Sequence, residues 1–351
     1  MVRQLSLFIT LCSVICIAVD GVVLADEVTS SHRRTGLLLD ERYRNHDTGP
    51  DHPERPERLD VIATGLRALD TYDELVPIVP RLGDDRWILK AHSSKYLDTV
   101  KRAHEKGMNR LPTGDTPFSP KSLETARLAV GGVLEACDKV MAKEIDNAFC
   151  VVRPPGHHAT RDEGMGFCVF GNVAIAAKYL QEKHGLERIL VVDWDVHHGN
   201  GTYDILKEDP KVFQFHLQQQ GIYPGTGMVT EIGEREAKGN TINVPVPQGA
   251  GRDAFVQAFN EQLAPAMEKF CPQFVLISAG FDAHEKDLLG GLRLRSEDYG
   301  ELTQLLIDIA HKYCAGRVVS ALEGGYHTEA LSESVQYHVN ALQGITTRTK
   351  K

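Results

Sequence analysis

The chain has no CxxC pair among its 7 cysteines, no long run of lysine and arginine, and nothing after residue 25 that approaches eighteen consecutive apolar residues. Each absence removes a class of function. Without paired cysteine spacing, closed structural zinc sites have no ligand framework. A formal charge of -9 with no basic run leaves no electrostatic footprint for DNA or RNA. The missing long apolar run predicts no membrane span beyond the first residues. No repeat or low-complexity block divides the chain, and no linker marks off a second domain.

The first residues differ from the rest. Arg3 precedes LSLFITLCSVICIAV, and VVLA then offers Val23 and Ala25 as the small residues before a cut. This is the pattern of a secretory signal peptide over residues 1–25, and it predicts a secreted or periplasmic protein whose mature part is residues 26–351. The other reading is an uncleaved N-terminal membrane anchor. Five cysteines remain after residue 25, scattered in apolar surroundings, and we read them as small core residues.

With 351 residues and 42% hydrophobic content the chain can bury a large core. From about residue 145 onward, β-rich runs alternate with helix-length amphipathic segments, which predicts an α/β domain around a mainly parallel sheet. The β-rich runs lie at 148–152, 188–193, 211–217, 241–246, 274–280 and 317–325; helices are expected at 119–144, 172–184, 252–270 and 296–313. Polar clusters follow four of the strands: RPPGHHA, DWDVHHGNG, AGFDAHEKD and EGGYH. In open parallel sheets ligands collect at the carboxyl ends of strands, so these clusters can form one site.

A divalent metal that activates water needs three protein ligands and an open position. Asp195 and His197 are two apart, so in an extended segment they point the same way. Asp282, after a separate strand, offers the third ligand. Two carboxylates and one imidazole suit Zn2+, and also admit Fe2+ or Co2+. The adjacent His157 and His158 and the tyrosine of GGYH complete the parts of a metal-assisted hydrolase.

Taken in order, HPERPERL (52–59), RPPGHHA (153–159), GFCVFGN (166–172), VVDWDVHHGNGT (191–202), YPGTG (223–227), SAGFDAH (278–284) and LEGGYH (322–327) resemble the histone deacetylase family, including its bacterial amidohydrolase relatives. The resemblance implies an arginase-like α/β fold with a central sheet of about eight parallel strands flanked by helices. It implies Asp195, His197 and Asp282 as zinc ligands, His158 as general base, His157 as its partner near the leaving group, and Tyr326 as oxyanion donor. It further implies that Asp193 orients His157, that a potassium ion (K+) sits near Asp193, and that Asn200 orients His158 where some members have an acid. Gly166, Phe167 and Tyr223 match the walls of the acyl-lysine tunnel, and Arg58 matches an arginine by the acetate channel. Asp115 is either the rim acid that holds substrate amides or a turn residue.

The implied activity is zinc-dependent hydrolysis of an N-acetylated amine, foremost an acetyl-lysine peptide, to free amine and acetate. An acetylpolyamine or other small acetylated amine is the alternative substrate, and a non-catalytic acetyl-ligand-binding protein the alternative of another class. Polyamine-selective relatives carry an acid at the position of Leu289, where an apolar side chain cannot meet a second cation. Leu288 stands where the family usually has proline. An exported enzyme would not meet histones, so the family name denotes ancestry here.

Overall fold

The computed structural model describes residues 32–345. The segment read as a signal peptide lies outside them. Eight strands form one sheet: β1 (Thr35–Leu39), β2 (Val76–Pro77), β3 (Asn147–Val151), β4 (Ile189–Asp193), β5 (Val212–Gln219), β6 (Thr241–Val246), β7 (Phe274–Ala279) and β8 (Val318–Leu322). Their order across the sheet is β2-β1-β3-β8-β7-β4-β5-β6. Every pairing is parallel, as the alternation of strands and helices predicts.

The near-continuous apolar character of β3, β4, β7 and β8 follows from their position. All residues of these four strands are buried, which requires helices over both faces of the sheet. One group of helices, Glu57–Arg67, Ser296–Cys314 and Thr328–Gln343, packs together; a second comprises Asp85–Ala91, Ser122–Met141 and Asn172–His184. Among the described residues no helix is long and apolar enough to cross a membrane.

Two details depart from the sequence reading. The segment expected as one helix over 252–270 is Arg252–Ala258, a wide π turn at Phe259–Leu263, and Ala264–Phe270. Pro265 lies just inside the last piece and has no N–H for the carbonyl four residues back, so the wider turn accommodates a bond that cannot form. None of the five cysteines pairs among the described residues; Cys137, Cys150, Cys168 and Cys314 are buried, but Cys271 is exposed. It ends the helix Ala264–Phe270 in a left-handed conformation, φ 50°, and so sits at a surface corner instead of in the core.

One of the buried histidines whose pKa burial lowers, His338, lies among aromatic core residues. His338 is fully buried, 2.6 Å from Thr303 Oγ1 and 2.8 Å from Ser320 Oγ, with Phe149, Trp194 and Phe281 around its ring. Burial pushes its pKa from 6.5 down to about 3. The folded state therefore binds fewer protons than the unfolded one, and this contribution is present above 6.5 and lost as pH falls toward 3. Between pH 7.5 and pH 5 the wild type should lose about 2 kcal/mol more stability than His338→Gln. Urea unfolding of both proteins at the two pH values checks this; parallel losses would contradict it.

Candidate active site

The four central strands β3, β8, β7 and β4 are neighbours, so the four polar clusters that follow them meet at the carboxyl ends of the strands. Asp195 follows β4 by two residues and Asp282 follows β7 by three. Asp195 Oδ2 accepts the N–H of Gly324 at 2.8 Å, and its Oδ1 accepts that of His197 at 2.9 Å. Asp282 Oδ1 accepts the N–H of Val196 at 2.8 Å. These bonds stitch the ends of β4, β7 and β8 around two carboxylates that are almost completely buried.

His197 Nδ1 lies 3.1 Å from Asp195 Oδ1 and 3.2 Å from Asp282 Oδ2. Among the described residues no donor hydrogen-bonds Asp282 Oδ2, although it is buried. An unsatisfied buried carboxylate oxygen is costly. The spacing fits a shared cation, because tetrahedral ligands ~2.0–2.1 Å from zinc stand ~3.3 Å apart. Charge points the same way: burial and the negative Asp195 push Asp282 up to about 7. Against its own burial, His197 is raised to about 10 by its bond to Asp195 and the negative charge of the two nearby carboxylates. Positive charge is what this cluster demands, and the three residues offer the donor set of a catalytic zinc site.

A second buried group, His157, Cys168 and Glu323, also brings three donors together, but they are engaged. Glu323 Oε2 accepts the N–H groups of Gly156 at 2.7 Å and His157 at 3.1 Å. Cys168 Sγ sits 3.3 Å from Gly166 O and 3.4 Å from His158 N, and burial pushes its thiol well above the usual range. This is a scaffold under the histidine loop.

The adjacent histidines, tilted rings with centres 3.9 Å apart, have opposite electrostatics. His157 Nδ1 is 3.0 Å from Asp193 Oδ2. Burial opposes charge on this ring, but Asp195, Asp193 and Glu323 override it and raise its pKa well above the ordinary value. His158 Nδ1 is 2.7 Å from Asn200 Oδ1. Burial first, then the neighbouring His157 and His197, hold His158 well below the ordinary value, while the Asn200 bond works weakly in the opposite sense. The low pKa of His158 thus has burial as its main cause. Because the amide oxygen accepts from Nδ1, the Nε2 lone pair is left bare. His198, the other histidine of the same stretch, instead pairs with Thr226 Oγ1 at 2.8 Å.

Tyr326 is buried, with its ring centre 6.2 Å from Phe167. Arg58 packs over the tyrosine ring at 5.1 Å and donates to Gly325 O at 2.8 Å and Glu323 O at 2.6 Å. Glu54 anchors Arg58 at 3.2 Å and forms a two-point pair with Arg153, at the start of the RPPGHH loop. Burial would raise Glu54, but Arg153 and Arg58 hold it at about 2.

Around the histidines, Gly166 and Phe167 both adopt left-handed φ, 53° and 68°, which for phenylalanine is a strained conformation typical of functional walls. Tyr223 stands with its ring 5.1 Å from His158 and 6.3 Å from His197, and is 40% exposed. Phe167 and Tyr223 thus flank the histidines on the open side. Asp115 is exposed, and its Oδ1 accepts the Gly166 N–H at 2.7 Å. It therefore braces the backbone at Gly166, the glycine beside His158. Leu289 and Leu288 are exposed on the loop after Asp282.

A family model described as histone deacetylase domain matches residues 52–342. The chain is 38% identical over 297 residues to a probable deacetylase of Archaeoglobus fulgidus, covering 84% of this chain and 82% of that protein. It is 37% identical over 319 residues to a histone deacetylase-like amidohydrolase of Pseudomonas aeruginosa, with the same two coverages of 84% and 82%. The solved HDA15 HD domain superposes with a TM-score of 0.82 at 34% identity, covering 88% of this chain and 91% of that one. The chain belongs to the histone deacetylase family. It is accordingly a hydrolase acting on amide bonds, and the eight-stranded sheet is the fold of this family.

Several residues that hold this histone deacetylase site together carry no signal at the level of spacing. Glu323 lies inside LEGGYH and Glu54 inside HPERPERL, yet their partners are 166 and 99 residues away. A Cβ at Gly280 would stand 2.6 Å from Asp195 Cα, and one at Gly324 2.6 Å from Asp195 Oδ2, so both glycines are required by close approach.

Gly166 provides the test of this packing. Its φ is 53°, and a Cβ there would lie 2.6 Å from His158 Cγ. Gly166→Ala should displace the imidazole and lower kcat on the order of 100-fold while bound metal stays at the wild-type level. Steady-state kinetics with metal analysis checks this; a kcat within twofold of wild type would show that His158 tolerates the shift.

Proposed function

We propose that the protein is a zinc-dependent deacetylase that hydrolyses an acetylated amine, foremost an N-acetyl-lysine side chain, to the free amine and acetate. A zinc ion held by Asp195, His197 and Asp282 would supply Lewis-acid polarisation of the amide carbonyl and of the attacking water. The protein's groups divide the proton transfers. His158, kept neutral with Nε2 bare, takes the proton from water as its oxygen adds to the carbonyl carbon. His157, its Nδ1 held by the Asp193 carboxylate, delivers a proton to the amine nitrogen as the C–N bond breaks. Tyr326 donates its hydroxyl to the carbonyl oxygen as negative charge develops there. Phe167 and Tyr223 enclose the alkyl chain of the substrate, and a potassium ion beside Asp193 belongs to the same reading.

The observation that carries this reading is the pair of adjacent histidines, one bonded to Asp193 and the other to Asn200, beside an Asp–His–Asp cluster with an unsatisfied buried carboxylate oxygen. Two imidazoles whose environments push their proton affinities apart are the signature of an acid and a base at work in one site. Apolar Leu289 on the mouth loop favours acetyl-lysine over an acetylpolyamine. Residues 1–25 complete the proposal as an export signal.

Tyr326→Phe separates an enzyme from a protein that only holds acetylated ligands. It should lower kcat on an acetyl-lysine peptide by on the order of 100- to 1000-fold, with KM and zinc content little changed. A kcat within a few-fold of wild type would overturn the oxyanion role.

A further inference from the structure

After Gly324 the segment carrying Tyr326 leaves the sheet. Gly324 still bonds to its surroundings through both backbone groups, donating its N–H to Asp195 and accepting the N–H of Phe281 on its carbonyl. The next residue, Gly325, has φ 118°, a conformation that glycine alone adopts without strain. A chain with two consecutive glycines before a catalytic side chain has little intrinsic preference for one pose. Something outside the segment must therefore fix Tyr326.

Two charged side chains do so from opposite ends. Arg58 takes the carbonyls of Glu323 and Gly325. Asp287, on the loop after β7, takes the N–H groups: its Oδ2 accepts from Tyr326 at 2.7 Å and from His327 at 3.1 Å. These N–H groups lie where the helix Thr328–Gln343 begins, and a carboxylate there is further favoured by the helix dipole. The other oxygen, Oδ1, accepts the N–H of Leu289 at 3.0 Å. One carboxylate thus fastens the loop bearing Leu289 to the tyrosine.

We propose that Asp287 is the positioning residue for Tyr326, holding the tyrosine backbone in register with the mouth loop so that its hydroxyl meets the carbonyl oxygen. This rests on the reading of Tyr326 as oxyanion donor. Charge-assisted bonds to two successive N–H groups are strong enough to select one backbone pose. The carboxylate itself touches no reacting atom; its effect passes through the tyrosine.

A double-mutant cycle on the zinc-loaded full chain tests this. Asp287→Ala should lower kcat at least about tenfold in the wild-type background, with KM within about threefold, and less than about twofold in the Tyr326→Phe background. A purely structural aspartate would cost the same factor in both. Zinc content and thermal midpoint are measured on each protein, and if Asp287→Ala loses either, Asp287→Asn replaces it in the cycle. The amide matches the carboxylate in size but cannot accept on both sides, so the same non-additivity is expected. Equal losses in both backgrounds overturn the positioning role while leaving the functional reading intact. An unchanged kcat in Tyr326→Phe alone overturns the functional reading, and this inference with it.

Discussion

Two carboxylates buried against each other cannot both keep their charge without a cation, and that constraint organises this protein. Asp195 and Asp282 stand at the ends of adjacent strands, nearly out of reach of solvent, with His197 Nδ1 between them. Backbone N–H groups satisfy most of their oxygens, and the remaining demand is for positive charge. Glycines at 280 and 324 let the backbone come close enough to deliver those bonds. The sheet's burial on both faces then keeps water from relieving the demand.

The same logic of paired charge extends outward. Glu54 ties together Arg153 and Arg58, which lead to the histidine loop and to the tyrosine loop respectively. Asp193 and Asn200 give the two histidines partners of different charge, and burial with neighbouring charges separates their proton affinities further. Loops rich in glycine and proline carry the chemistry, but each is tied to a strand end or a buried charge. Catalytic precision in such a site comes from these ties.

Much of this was legible in the sequence because its signals are local. Six of the eight strands are apolar runs long enough to stand out, and DxH spacing puts Asp195 and His197 on one side of an extended segment. The two other strands escaped for physical reasons: Val76–Pro77 has two residues, and Thr35–Leu39 is a brief run that owes its place to pairing with Asn147–Val151. The supporting carboxylates were illegible because nothing near Glu54, Asp287 or Glu323 in sequence names a partner across the fold. The resemblance to a family named the candidate reacting residues, whereas the bonds that hold them emerge only from the folded chain.

In the proposed reaction, amide hydrolysis depends on an ion held by the Asp195–His197–Asp282 cluster. The most direct measurement is a zinc titration of chelator-treated protein, following bound metal and acetate released from an acetyl-lysine peptide together. Activity should rise in proportion to bound zinc and level off at about one equivalent per chain, and Asp282→Ala should neither bind the ion nor recover activity. Full turnover by the chelator-treated protein, or by Asp282→Ala, would contradict it.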